Sequence, residues 1–81
     1  MSYFVYILRN GEGRYYIGQT SDLVSRLFRH NQNKVLWTKN KGPWSIVHTQ
    51  ESASRSAAMM EEKRLKSLKS RSAIESLIAR R

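Results

Sequence analysis

Apolar and polar positions follow two rhythms along this chain, and each change of rhythm marks a new element. Tyr3 to Leu8 is an unbroken apolar run rich in aromatic and β-branched residues, which predicts a buried strand. Asn10-Gly11-Glu12-Gly13 supplies turn residues, with two glycines available for positive φ. Arg14 to Gln19 predicts a second strand, so the first two strands form a hairpin. Thr20 or Ser21 is placed to cap a helix, with Asp22 in the first turn, where a negative charge suits the helix dipole. That helix is expected to run to about Asn31, with Leu23, Val24, Leu27 and Phe28 as its apolar stripe.

Amides, lysines and a glycine break the pattern from Asn31 to Gly42, which predicts a loop with room for a short helical turn. Pro43 restricts Gly42 and ends any helix before it. Trp44 to Thr49 alternates and predicts a third strand. Ser52 or Ser54 can cap a second long helix through about Lys69, packing through Ala58, Leu65 and Met59. Ser72-Ala73-Ile74-Glu75 has the form of a capping box for a last short helix, with Ile74, Leu77 and Ile78 facing inward. The order ββα, β, αα is that of an α+β fold, an antiparallel sheet flanked by helices. With 81 residues, a single domain over 1–81 is expected.

Charge adds a partner to this picture. Fifteen Lys and Arg face six Asp and Glu, a formal net charge of +9. On so small a body that field favours polyanions, of which nucleic acid is the commonest, and binding should weaken steeply with salt. The plain alternative is a merely soluble basic surface. A membrane role is not expected, because no segment joins a long apolar face to a basic one and no apolar stretch approaches spanning length. There is no cysteine, which excludes disulfides and thiolate metal sites and is compatible with a reducing cytosol. The N-terminus reads as a strand rather than a leader, so a cytoplasmic location is expected.

Three features then stand out from a plain core. Tyr6 lies mid-strand, and Tyr15-Tyr16 lie in the facing strand, so pairing can bring one of them beside Tyr6. Strand tyrosines are mostly packing residues; the functional alternative is a phenol acting on a water. A phenol titrating near ~10 would need nearby cations to do so. Arg26 and His30 are four apart on the first helix and share a face at the edge of the apolar stripe. Arg26 can clamp a phosphate with two hydrogen bonds, and His30 can donate to it or pass a proton. The alternatives are a snorkelling arginine and a helix-terminal histidine. Glu62 falls between Ala58 and Leu65, on the inward stripe of the second helix, whereas Glu61 lies nearer the flank. An inward carboxylate is costly unless paired or metal-bound, and one carboxylate suits Mg²⁺. A buried pair with Lys or Arg is the competing reading. His30 and His48 are far apart and no Cys accompanies them, so a zinc site is not expected.

Taken in order, these residues resemble the GIY-YIG nuclease superfamily. Phe4-Val5-Tyr6 stands ten residues before Tyr16-Ile17-Gly18, in the manner of the paired motifs. The second motif is matched in full, and the first keeps its tyrosine but has Phe-Val for Gly-Ile. Thr20, Asp22-Leu23, Arg26-Leu27 and His30-Asn31 resemble the family's helix, and Pro43-Trp44, Arg55-Ser56, Ala58, Glu62 and Lys66 resemble its short bacterial, UPF0213-like members. The resemblance implies a three-stranded antiparallel sheet with helices around it. It also implies hydrolysis of a DNA phosphodiester with Mg²⁺ or Mn²⁺, in a setting such as DNA repair or recombination.

By the same resemblance Glu62 binds the metal and Arg26 holds the phosphate. Tyr6 is the expected general base, with Tyr16 positioning water or phosphate, although the sequence does not separate those two roles. His30 is the candidate for proton transfer. Lys34 and Lys39, beyond the motifs, are candidates for backbone contacts only. Larger family members carry separate targeting domains; with none expected here, structure-selective or weakly specific cleavage is expected unless a partner or dimer supplies specificity. Two rival readings are a nucleic-acid-binding module with little or no turnover, RNA included, and an adaptor for an acidic protein.

Overall fold

The computed structural model describes residues 2–68 and 70–79. Its elements are β1 (Tyr3–Asn10), β2 (Tyr15–Thr20), α1 (Leu23–Asn31), a short 3-10 turn (Leu36–Thr38), β3 (Trp44–Ser52), α2 (Arg55–Lys66) and α3 (Arg71–Ala79). The three strands form one antiparallel sheet in the order β2-β1-β3. The expected α+β class is thus the observed one.

The apolar run of β1 is explained by its central place. Both its edges are paired and both its faces are covered, so Val5, Tyr6, Ile7 and Leu8 are all buried. On one face Val5, Ile7 and Ile17 pack against Ala58 and Leu65 of α2 and Ile74 and Leu77 of α3. On the other, Tyr6, Leu8 and Trp44 pack with Tyr16 and with Leu23 and Leu27 of α1. The hairpin turn is held by the Asn10 side chain, whose Oδ1 accepts from the backbone N–H groups of Glu12 (3.0 Å) and Arg14 (2.8 Å). Of the two turn glycines only Gly13 uses positive φ, at 78°.

Several boundaries differ from expectation, each for a local reason. Asp22, not Thr20 or Ser21, caps α1: its carboxylate accepts from Ser25 N at 3.1 Å. Thr20 instead holds the approach, accepting from Asp22 N at 3.1 Å. Ser54 caps α2 by accepting from Ala57 N. That helix ends at Lys66, short of the expected Lys69, which lies outside the described residues. Before α3 it is Ser70, two residues ahead of the expected Ser72, that accepts from Ala73 N, at 3.3 Å. Glu75 therefore closes no capping box and takes Tyr15 and Arg71 as partners instead.

The apolar stripe of α1 is corrected too. Val24 is 81% exposed and Phe28 61%, while His30 is fully buried. The inward face is Leu23, Arg26, Leu27 and His30, at i, i+3, i+4 and i+7, which is proper helical spacing with two polar members. On α2, Met59 is exposed rather than packed. Among the described residues no helix is long and apolar enough to cross a membrane.

Candidate active site

The site grows from the pairing of β1 with β2. Tyr6 stands directly opposite Gly18, and Tyr16, two residues earlier on β2, shares that face on the diagonal. The two rings lie 6.4 Å apart between centroids. Strand parity sends Tyr15 to the opposite face, where its hydroxyl donates to Glu75 at 3.3 Å and the Arg71 guanidinium sits 5.9 Å from its ring. Tyr16 is therefore the partner of Tyr6, and Tyr15 is structural. Gly18 makes room for the pair. A Cβ there would lie 2.5 Å from Tyr6 Oη and 3.2 Å from Tyr16 Cε2.

From α1, His30 closes over both rings, with centroids 5.9 Å from Tyr6 and 4.9 Å from Tyr16. Its Nε2 is 3.0 Å from Tyr6 Oη and its Nδ1 is 2.7 Å from Thr38 Oγ1. It lies in the last turn of α1, yet it sits at the centre of the packing and not at the edge of a stripe. Burial, and secondarily the charge of Arg26, pushes its pKa down to about 4. The ring is neutral at pH 7 and has one nitrogen free to accept. Thr38 is also fully buried; its carbonyl accepts from Trp44 Nε1–H at 3.2 Å and its hydroxyl reaches Val35 O at 3.4 Å. A threonine that gives its proton to Val35 O accepts from Nδ1–H, and that tautomer leaves Nε2 as the acceptor for the Tyr6 hydroxyl.

Tyr6 departs from expectation in sign. Its pKa lies well above the usual phenol value, first because of burial and then because of Tyr16. Arg26 pulls it down but is outweighed, and Glu62 adds to the rise. Surrounding cations therefore do not turn Tyr6 into a phenolate, as the basic composition had suggested.

Arg26 is half-buried, one turn before His30, and among the described residues no ion pair ties it down. It lines an open cleft of about 440 Å³ together with Tyr3, Gln19, Thr20, Ser21 and Arg55. Glu62 sits at the margin of the inward stripe rather than within it: its side chain keeps 20% exposure and pairs with Lys66 at 2.5 Å. Its charge is nevertheless felt at the Tyr6 hydroxyl. Glu61 pairs with Arg64, whose hydrogen bond holds the Glu61 carboxyl below its ordinary range. Among the described residues no three His, Cys, Asp or Glu cluster as a metal cage. A single partly exposed carboxylate fits Mg²⁺ or Mn²⁺, which keep several waters and take further oxygens from a phosphate, and it does not fit structural zinc.

The structure thus brings together Tyr6, Tyr16, Arg26 and His30, with Glu62 close enough to act on Tyr6. Lys34 and Lys39 stay exposed on the loop around the 3-10 turn, outside this group. Thr38 is the member sequence reasoning missed; a lone threonine in a polar loop carries no signal of its partner.

The fold places the chain in the class of GIY-YIG nuclease domains. The GIY-YIG catalytic domain matches residues 2–75, and the chain belongs to that family, whose substrate is nucleic acid. Its relatives include a UPF0213 protein of Oceanobacillus iheyensis, 36% identical over 67 residues, covering 82% of this chain and 78% of the relative. Another, from Natronomonas pharaonis, is 35% identical over 78 residues, covering 95% and 91%. The solution NMR structure of a UPF0213 protein from Bacillus halodurans is similar throughout, with a TM-score of 0.62 and 35% identity, covering 98% of this chain and 84% of that one.

Proposed function

We propose that this chain is a divalent-metal-dependent endonuclease that hydrolyses DNA phosphodiester bonds and chooses its target by structure or only weakly by sequence. The observation that carries the reading is the 3.0 Å contact between Tyr6 Oη and His30 Nε2, beside Tyr16 and Arg26. Arg26 takes the scissile phosphate through paired N–H groups and offsets the charge that builds on it. Tyr6 accepts a proton from the attacking water while its own proton passes to His30 Nε2. The raised pKa of Tyr6 disfavours a free phenolate, so its own proton leaves as the water's arrives, and the imidazole 3.0 Å away is the acceptor. Thr38 holds the imidazole in the accepting tautomer. An imidazolium beside Arg26 is disfavoured and His30 is fully buried, so the proton returns to Tyr6 as the phenol gives its own to the leaving oxygen. Tyr16 positions the water or the phosphate. Glu62 would hold Mg²⁺ or Mn²⁺, and the ion when bound supplies charge stabilisation for the phosphate and the leaving group.

The Glu62–Lys66 pair favours a second reading, a nucleic-acid-binding module with little turnover, because the lysine competes for the carboxylate. Branched, single-stranded and duplex DNA incubated with Mg²⁺ or Mn²⁺ separates the two. Arg26→Ala and Glu62→Ala should each slow cleavage by about 10²- to 10³-fold. Cleavage equal to wild type in both variants would refute the site. Salt-dependent binding that survives Glu62→Ala, with no cutting of any substrate by the wild type, would establish the second reading.

A further inference from the structure

The two tryptophans meet opposite fates. Trp44 is 5% exposed, with its N–H on the Thr38 carbonyl, whereas Trp37 is 70% exposed. An indole left in water forgoes a large apolar burial. Looseness of the loop does not explain it, because the segment around Trp37 is tied down residue by residue. Lys34 N donates to Arg29 O at 3.0 Å and Asn40 N to Asn33 Oδ1 at 2.9 Å. Thr38 is anchored to His30, and the Lys41 carbonyl accepts from Asn10 Nδ2 at 2.9 Å. Trp37 is held out on a fixed mount.

Its surroundings point to a polyanion. Lys34, Lys39 and Lys41 are all exposed around it, and Lys41 Nζ donates to the Trp37 carbonyl at 3.3 Å. No acidic residue occurs between Asp22 and Glu51. A ligand that satisfies both the lysines and the indole is anionic and carries flat apolar rings, which describes a nucleic acid with an unpaired base. In an intact duplex the base faces are already stacked on one another and closed to the indole.

The mount is also close to the chemistry. Trp37 adjoins Thr38, Thr38 Oγ1 lies 2.7 Å from His30 Nδ1, and His30 Nε2 lies 3.0 Å from Tyr6 Oη. The backbone of Trp37 is therefore roughly 10 Å from the Tyr6 hydroxyl, a span of only a few nucleotides.

We propose that Trp37 is a stacking platform for an unpaired base a few nucleotides from the scissile phosphate, so that the substrate carries a single-stranded segment beside the cut. This rests on the nuclease reading for its phosphate, but its test does not depend on turnover. With one tryptophan exposed and the other buried, intrinsic fluorescence reports stacking directly. The probes are a thymidine oligonucleotide of about 12 nucleotides and a blunt-ended DNA duplex of about 12 base pairs, both titrated in EDTA.

The single strand should quench wild-type emission, and Trp37→Phe should abolish the quenching while keeping most of the affinity. Trp37→Ala should weaken single-strand binding by roughly 5- to 150-fold and leave duplex binding unchanged. The residue is exposed, so an unchanged thermal midpoint is expected for both variants. Absence of quenching, or equal weakening for strand and duplex, overturns the platform. So does a concentration-dependent dimer that Trp37→Ala abolishes, which would give the indole to a second copy of the chain. Quenching that follows these expectations, with no cutting in Mg²⁺ or Mn²⁺, supports the platform and counts against the nuclease reading instead.

Discussion

Gly18→Ala sets a methyl group against the Tyr6 phenol. The added Cβ would lie 2.5 Å from Oη, 2.7 Å from Cζ and 3.2 Å from Tyr16 Cε2. Comfortable contacts of this kind are about 3.5–4.0 Å, so the phenol would have to retreat by about 1 Å. It has little room to do so, being 2% exposed and packed among Leu8, Trp44 and His30. Gly18 has no positive φ, so the backbone tolerates alanine and the whole effect is one of packing. Overpacking of this kind costs about 1–3 kcal/mol. Urea unfolding at pH 7 should show a lower midpoint with an unchanged slope. A retreat of about 1 Å also breaks the Tyr6–His30 hydrogen bond, so cleavage should fall by about 10²-fold, more than the lost stability accounts for. A variant within about 0.5 kcal/mol of wild type and cutting at the wild-type rate would refute the claim that Gly18 is there to seat the phenol.

His30 makes stability depend on pH with a definite sign. Its folded-state pKa is lowered to about 4 from an ordinary 6.5, so as pH falls the unfolded chain takes up the proton first. Its stability contribution is complete above about pH 6.5 and is lost progressively toward pH 4, by about 3 kcal/mol in all. Urea midpoints at neutral and acid pH should show this loss in wild type and much less of it in His30→Gln; parallel losses would exclude His30 as the source. Asp22→Ala should cost about 1 kcal/mol through loss of the α1 cap, while Ser21→Ala should stay within about 0.5 kcal/mol. The reverse order in thermal melts would return the cap to Ser21.

How much of this was legible in the sequence follows from what each signal measures. The continuous run Tyr3–Leu8 foretold a strand buried on both sides, and that strand is central. The tyrosine pair was legible only in part. Which of Tyr15 and Tyr16 faces Tyr6 depends on strand register, and Gly18 opposite Tyr6 is what sets it.

The α1 stripe was misread because an apolar pattern counts only apolar residues. Its true inward face gives two of four positions to Arg26 and His30, the positions that serve the site. The caps erred by one or two places where several capping residues stand together, as at Thr20-Ser21-Asp22. Thr38 was illegible because its burial depends on a loop folding back onto a helix, which no local periodicity records. The expected effect of cations on Tyr6 failed because charge adds up along the sequence, while desolvation depends on packing.

The placement of Tyr6 on the middle strand gives the parts of the centre unequal permanence. β1 is hydrogen-bonded along both edges, so releasing its amides to exchange with solvent means dismantling the sheet. Glu62 rides on α2, which lies against the sheet by side-chain packing through residues such as Ala58 and Leu65. Partial openings of the fold are therefore expected to move the carboxylate before the phenol. The imidazole rides on α1, which also lies against the sheet by side-chain packing, so the phenol alone stays in place until the whole sheet lets go.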